Sequence, residues 1–415
     1  MASTTRTDDA LCAEARRALA GVAIDAKSAL ALCARLIEAA ERRPSDEPPP
    51  RDGSAALAGA MARRCLDAVA GPDADSTERA YLHMALANAL RLSREWDGAR
   101  QAYAAALDAA PECGWWWFNL GLLHKARGEW REALQVTRRA RELVGDEKAV
   151  LWNLAIAATA LGDGATAVEA MRRLGHAASV APSGMPFVEG LGPVQVRAAT
   201  VGAGIGGDDA ALGGVPDRSV GFELLWVTPL SPVHGVVSSA TWREASVDYG
   251  DVVLWDGVPL GVVEHEGRPV PRFPLLAVLR RGEERRFRFL ARERETGALA
   301  ALAETLPPGA RLFVHRERME TLCAHCAQAA GQGDEPAPHA HAPATPHRLT
   351  QGKICVPGDL DLATFRREFD ARIATLGNVV VVMPGLLEAI GDTAGAGKAH
   401  RMWLGLERAE THEHA

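Results

Sequence analysis

The sequence predicts a multi-domain α+β protein. An N-terminal helical repeat module would be followed by a β-rich domain (barrel or sandwich-like) and a small α/β C-terminal unit. Three observations predict this. Small and large apolar residues recur at helical spacing with a 34-residue period through residues 77–182. After Pro182 glycine, proline and valine rise, and short β-branched runs alternate with turns. The chain has 415 residues, too many for one compact core.

Composition excludes several classes. With 47% apolar and 24% charged residues the chain is globular in type rather than disordered. Its net charge of −7 gives no global case for nucleic acid, and its longest apolar runs, such as Val379–Met383, are far short of a membrane span. The opening MASTTRTDDALCAEARR has acidic residues where a secretory leader would be basic, and the 7 cysteines are an odd number spread over a long chain. Both features predict a reducing, cytoplasmic setting.

Taken in order, residues 1–76 read as helices that cap the repeats or form a degenerate one. Asp8–Arg43 is helical in pattern, Pro44–Ser54 breaks it with three consecutive prolines, and Ala55–Ala70 resumes it. Residues 183–318 form the β-rich domain, with VQVRAATV, FELLWV, DVVLWDG, PLGVVEH and RFRFL as strands. Tyr249-Gly250-Asp251 reads as a tight turn, Asp256-Gly257 as a hairpin turn, and RRGEERRFRF (280–289) as an exposed hairpin with one polar face. Residues 319–350 form a Cys/His-rich helix and loop. Residues 351–415 return to alternation, with strands KICV and NVVVVM and helices LATFRREFDARIA, from Leu386 and from about Ala394.

The period is sharp enough to read position by position. Registers begin at Ala80, Gly114 and Lys148. Small residues recur at offset 8 (Gly121, Ala155), offset 20 (Ala99, Ala133, Ala167) and offset 27 (Ala106, Ala140), where two helices must approach closely. Large ones stand at offsets 4 and 7 (Trp117, Leu120, Leu151, Leu154), and glycine at offset 15 (Gly128, Gly162) allows a tight turn. This pattern resembles the tetratricopeptide-repeat family over about a quarter of the chain. His124, Thr137, Met171 and Gly145 depart from the family's pattern. The resemblance implies stacked helical hairpins whose first helices line a concave groove. Carried over, the groove residues are Asn88, Arg91, Trp115, Phe118, Asn119, Leu122, Lys125, Trp152, Asn153 and Ile156. Aromatic rings give broad contact area and asparagine offers a peptide backbone both donor and acceptor. The opposing reading is that this apolar face packs against the β-rich half of the same chain.

Cys323, His325, Cys326, His339, His341, His347 and Cys355 crowd into a short span. Cys323 and Cys326 with His341 and His347 satisfy a zinc spacing, and four protein ligands would make the site structural. The intervening residues lack the apolar core of a nucleic-acid-reading finger. Gly202-Ala-Gly204-Ile-Gly206-Gly207 matches a dinucleotide motif, but no helix can follow it before Gly213-Gly214 and Pro216. The segment 231–257 faintly resembles serine proteases of the signal-peptidase and repressor-cleavage type, with Ser238 or Ser239 as nucleophile. That chemistry needs a lysine base, and none stands between Lys148 and Lys353. His234 with Asp248 or Asp251 is the substitute base.

The resulting expectation is a non-catalytic adaptor or scaffold that holds a protein or peptide partner in the repeat groove, with the β-rich half as effector or second binding module. A hydrolase in the β-rich half, zinc-dependent or serine-type, with the repeats recruiting substrate, is the rival.

Overall fold

The computed structural model describes residues 2–21, 25–43, 49–69, 75–200, 221–242, 245–294, 297–334, 345–376 and 379–408. Gly202–Gly207, His339 and His341 lie outside the described residues. The chain divides into two compact units. One comprises 1–199, 224–236 and 252–280, the other 200–223, 237–251 and 281–415. Among the described residues no helix is long and apolar enough to cross a membrane.

The first unit begins with helices. α1 (Ala2–Ala20), α2 (Ala26–Glu41) and α3 (Ser54–Ala68) precede three hairpins: α4 (Ser76–Leu92) with α5 (Trp96–Ala109), α6 (Gly114–Arg127) with α7 (Trp130–Val144), and α8 (Lys148–Ala160) with α9 (Gly164–Arg173). The second helices start at Trp96, Trp130 and Gly164, 34 residues apart as the sequence period requires. The small residues sit where helices meet: Ala99, Ala106, Ala133, Ala140, Ala155 and Ala167 are all buried. Gly121 is tighter still, since a Cβ there would lie 2.7 Å from Thr137 Oγ1. Gly128 and Gly162 take left-handed φ of 71° and 72° at the hairpin turns, and Arg94 takes the same conformation at 61° in the first hairpin.

A stack of hairpins must have both ends covered. At the first hairpin, Leu82, Ala85 and Ala89 of α4 share a core with Leu32, Leu36, Ala58 and Met61 of α2 and α3. At the third, strands do the covering. β1 (Ala178–Val180) and β2 (Pro186–Val188) pair antiparallel. A six-stranded sheet follows in the order β3 (Val194–Thr200), β4 (Gly221–Ser231), β5 (His234–Val237), β6 (Val252–Trp255), β8 (Arg268–Arg280), β7 (Gly261–His265). Five of these strands close on themselves, because β3 also pairs with β8, Val196 facing Phe273. The closing pair is parallel, whereas β5–β6 and β6–β8 are antiparallel. Ile156 and Leu154 of α8 share a core with Val233 and Leu254 of this barrel, and Leu276, Ala277 and Leu279 of β8 pack against it.

The structure corrects the reading of Asp256-Gly257. β6 and β7 do not form a hairpin; each pairs with β8, at Trp255–Leu275 and Gly261–Arg272. Residues 256–260 are an irregular connection between them.

The second unit is built on an antiparallel sheet of four strands in the order β10 (Arg311–Leu322), β11 (Thr345–Val356), β9 (Arg285–Glu293), β12 (Val379–Val382). Its helices are α10 (Ala298–Glu304), α11 (Ala324–Gln332), α12 (Leu362–Leu376), α13 (Pro384–Ala389) and α14 (Thr393–Arg408). Strand alternation sorts the core into two layers. Phe287, Phe289 and Ile354 meet Leu302, Phe365 and Phe369 on one face; Leu290 and Leu349 meet Ala330, Ala396 and Leu406 on the other. The run 280–289 is therefore no exposed hairpin: β8 ends and β9 begins in different sheets, and Phe287 and Phe289 are buried. The Cys/His stretch and the C-terminal segment are likewise one antiparallel construction with β9, since β10 and β11 run through 311–322 and 345–356.

Candidate functional site

Positions 115, 118, 119, 122 and 125 recur at intervals of three and four, so α6 presents Trp115, Phe118, Asn119, Leu122 and Lys125 on one face. Trp115 is 45% exposed and meets Phe118 edge-on at 5.6 Å between ring centroids. Phe118 is half-buried and packs against the core that α8 shares with the barrel. Tyr81 of α4, 34 residues before Trp115, is 51% exposed, and its ring stands edge-on to Trp116 at 5.3 Å. Two aromatic rings thus face solvent at the same register of successive hairpins. Tyr81 is absent from the expected set, although offset 2 would have found it.

The remaining expected groove residues have partners inside the chain. Asn88 accepts a hydrogen bond from the buried Tyr103 hydroxyl at 2.6 Å, and Arg91 donates to Glu41 of α2 at 2.9 Å. Asn119 reaches Met84 Sδ at 3.9 Å, and Leu122 is half-buried. The α8 positions depart furthest from an open groove. Ile156 and Asn153 are buried, and Trp152 packs half-buried against the same core, edge-on to His176 at 5.7 Å. The physical reason lies in α8 itself. After Lys148 its residues AVLWNLAIAATA carry no charge on any side, and a helix apolar all round must be covered all round.

Where α6 and α8 meet the β6–β7 connection, three polar side chains converge. Lys125 Nζ donates to Asn153 Oδ1 at 3.0 Å and to both oxygens of Asp256, at 3.0 and 3.3 Å. The two charged side chains are only 13% and 16% exposed. Beside them, a Cβ on Gly257 would lie 3.1 Å from the Trp152 ring, so the backbone passes close to the indole.

The residues considered for hydrolysis fall differently from the expectation. His234 is fully buried, and its Nδ1 lies 2.6 Å from Ser231 Oγ, not at Ser238 or Ser239. Burial pulls its pKa down to about 4, keeping the ring neutral, and its Nε2 has no partner among the described residues. In the second unit Lys353 donates to Thr241 Oγ1 at 2.7 Å and to Asp248 Oδ2 at 2.6 Å. Burial works to raise the Asp248 pKa, but the Lys353 bond and the backbone N–H groups of Thr241 and Tyr249 outweigh it and hold the carboxyl below its usual range. Asp251 is buried and takes Arg281, Arg286 and the Gly282 N–H. A lysine does reach this segment, from more than a hundred residues away.

The cysteines Cys323 and Cys326 lie together at the start of α11, with Cys323 Sγ accepting the Cys326 N–H at 3.4 Å. His347 is buried on β11 opposite Glu320, with Nε2 3.2 Å from Thr345 Oγ1. Among the described residues no group of three or more His, Cys, Asp or Glu side chains is gathered to hold a metal ion. Two adjacent sulfur donors fit half of a tetrahedral set.

No family model and no curated protein matches the chain.

Proposed function

We propose that the helical hairpins form a protein-interaction scaffold, and that the face bearing Tyr81 and Trp115 takes a peptide or protein partner. The observation that carries the reading is Trp115. Nearly half its surface faces solvent, yet Phe118 holds its ring in place, so its contact area is pre-positioned at small entropic cost. The barrel and α1–α3 cover the two ends of the stack, and on α6 Trp115 stays exposed. Asn119 supplies hydrogen bonding to a partner backbone beside the aromatic anchor.

Affinity capture with the full chain, read by mass spectrometry, tests this. Trp115→Ala should weaken partner retention about 30-fold or more, the mark of an interface anchor, while thermal stability stays nearly unchanged. Tyr81→Ala should weaken it to a smaller degree. Unchanged retention in both variants, or unfolding of Trp115→Ala, overturns the proposal.

The Cys/His stretch supports a separate proposal of one structural zinc ion, with Cys323, Cys326, His347 and His341 as ligands. Bound there, zinc would supply folding energy rather than chemistry. Elemental analysis of purified protein should find about one zinc per chain, lost in Cys323→Ser. Zinc-free wild-type protein ends this proposal.

A further inference from the structure

Residues 256–260 enter the helical stack as a ligand would. The segment is irregular, lying between two strands that do not pair with each other. It delivers a carboxylate to Lys125 and Asn153 and lays a glycine against Trp152. All three receiving residues come from positions that the helical period assigns to the partner-facing side of α6 and α8. Immediately beyond, Val258 is 72% exposed.

The energetics make this contact exchangeable. The barrel is held on α8 by the apolar core of Leu154, Ile156, Val233 and Leu254, to which Asp256 contributes nothing. A mostly buried ion pair adds little net stability, because desolvation offsets the attraction. Removing Asp256 alone is costly to Lys125, which would be left a half-covered cation; replacing it with another carboxylate costs nothing in kind. The pair is thus weak as a clamp and selective as a recognition element.

We infer that the Lys125–Asn153–Trp152 corner is a built recognition site for an acidic residue followed by glycine, that Asp256-Gly257 is its resident occupant, and that a partner segment carrying the same pair competes for it. This rests on the scaffold reading above and adds the chemistry of the partner. The charge sets the requirement for an acidic residue, and the 3.1 Å approach at Trp152 favours glycine at the next position, since a side chain there would require the ring to give by a few tenths of an ångström.

The probe is a fluorescently labelled peptide of sequence LWDGVPL, residues 254–260 of the chain, titrated into the full protein. Asp256→Asn keeps the shape of the turn and removes its charge. It should bind the peptide about tenfold more tightly than wild type does, the loss of one charge-assisted contact by the competitor. The peptide LWNGVPL should not show the gain, and adding Lys125→Met to Asp256→Asn should abolish it. If circular dichroism shows Asp256→Asn unfolded, Gly257→Ala serves instead, since its methyl crowds the Trp152 ring and weakens the seat of the loop while leaving the charge in place; a gain of the same sign is expected. Equal binding by wild type and a folded variant, or a gain that survives Lys125→Met, overturns the inference. Trp115-dependent partner capture without any peptide gain sinks this inference alone. A peptide gain with Trp115-independent capture sinks the scaffold reading and leaves the corner standing.

Discussion

At the scale of single residues, the three hairpin turns offer a controlled comparison. Gly128, Gly162 and Arg94 occupy equivalent positions with φ of 71°, 72° and 61°. Glycine meets no steric penalty there, whereas a side chain pays about 1 kcal/mol for the left-handed region. The Cβ of an alanine at 128 would touch only the Trp130 ring edge at 3.9 Å, so conformation is the sole penalty. Gly128→Ala should therefore lower stability by about 1 kcal/mol. Arg94→Gly should raise it by a somewhat smaller amount, because glycine also costs unfolded-state entropy. Chemical denaturation of both variants checks the pair. A stabilised Gly128→Ala would show that the turn is not strained in the way its dihedral angle says.

The scale of elements is where the sequence was most legible and where it misled. The hairpins could be read because each position recurs three times, so a local pattern is averaged over copies. Gly121 illustrates how far that goes. The sequence marks it as a small residue at a close helix approach, and the structure puts Thr137 Oγ1 2.7 Å from where a Cβ would stand. Gly121→Ala should destabilise the protein by about 1–3 kcal/mol, the usual cost of overpacking. Thr137→Ala in the same chain should return most of that loss, since the two side chains then fit. A double-mutant cycle by thermal or urea unfolding measures the coupling, and strict additivity would refute the contact. The strands show the opposite case. Alternation located β4, β6, β7 and β9, but pairing is non-local and leaves no trace in spacing. Asp256-Gly257 looks like a hairpin turn because its composition is that of one, yet its flanking strands both chose β8. In β10 apolar alternation fails altogether: in RLFVHRERMETL the charged Glu320 is buried against Arg292 while Val314 and Met319 are exposed. The site was legible to the same degree. Trp115 and Phe118 could be placed by the period, while Asp256 beside Lys125 and Lys353 beside Asp248 join residues more than a hundred positions apart.

For the first unit as a whole, the helical stack and the barrel share one core, and this makes a prediction about autonomy. α8 is apolar on every side, and the strands supply its cover through Val233, Leu254, Leu276, Ala277 and Leu279. A fragment ending at residue 181 keeps all three hairpins and the helices that cap the first of them, so by helix count it is a complete repeat array. By surface it is not, because Trp152 and Ile156 lose their cover and Lys125 loses its carboxylate. Arrays whose terminal repeat lacks a polar outer face self-associate or fray. The fragment should elute as oligomers in size-exclusion chromatography, and hydrogen exchange should be fast in α8 and α9 while α4–α7 stay protected. Charged substitutions at the newly exposed positions, Trp152→Lys with Ile156→Glu, should restore a monomer in the fragment and unfold the full chain. The same two changes act in opposite directions because one background exposes that face and the other buries it. A wild-type fragment that is monomeric and uniformly protected would mean that the barrel is dispensable to the stack.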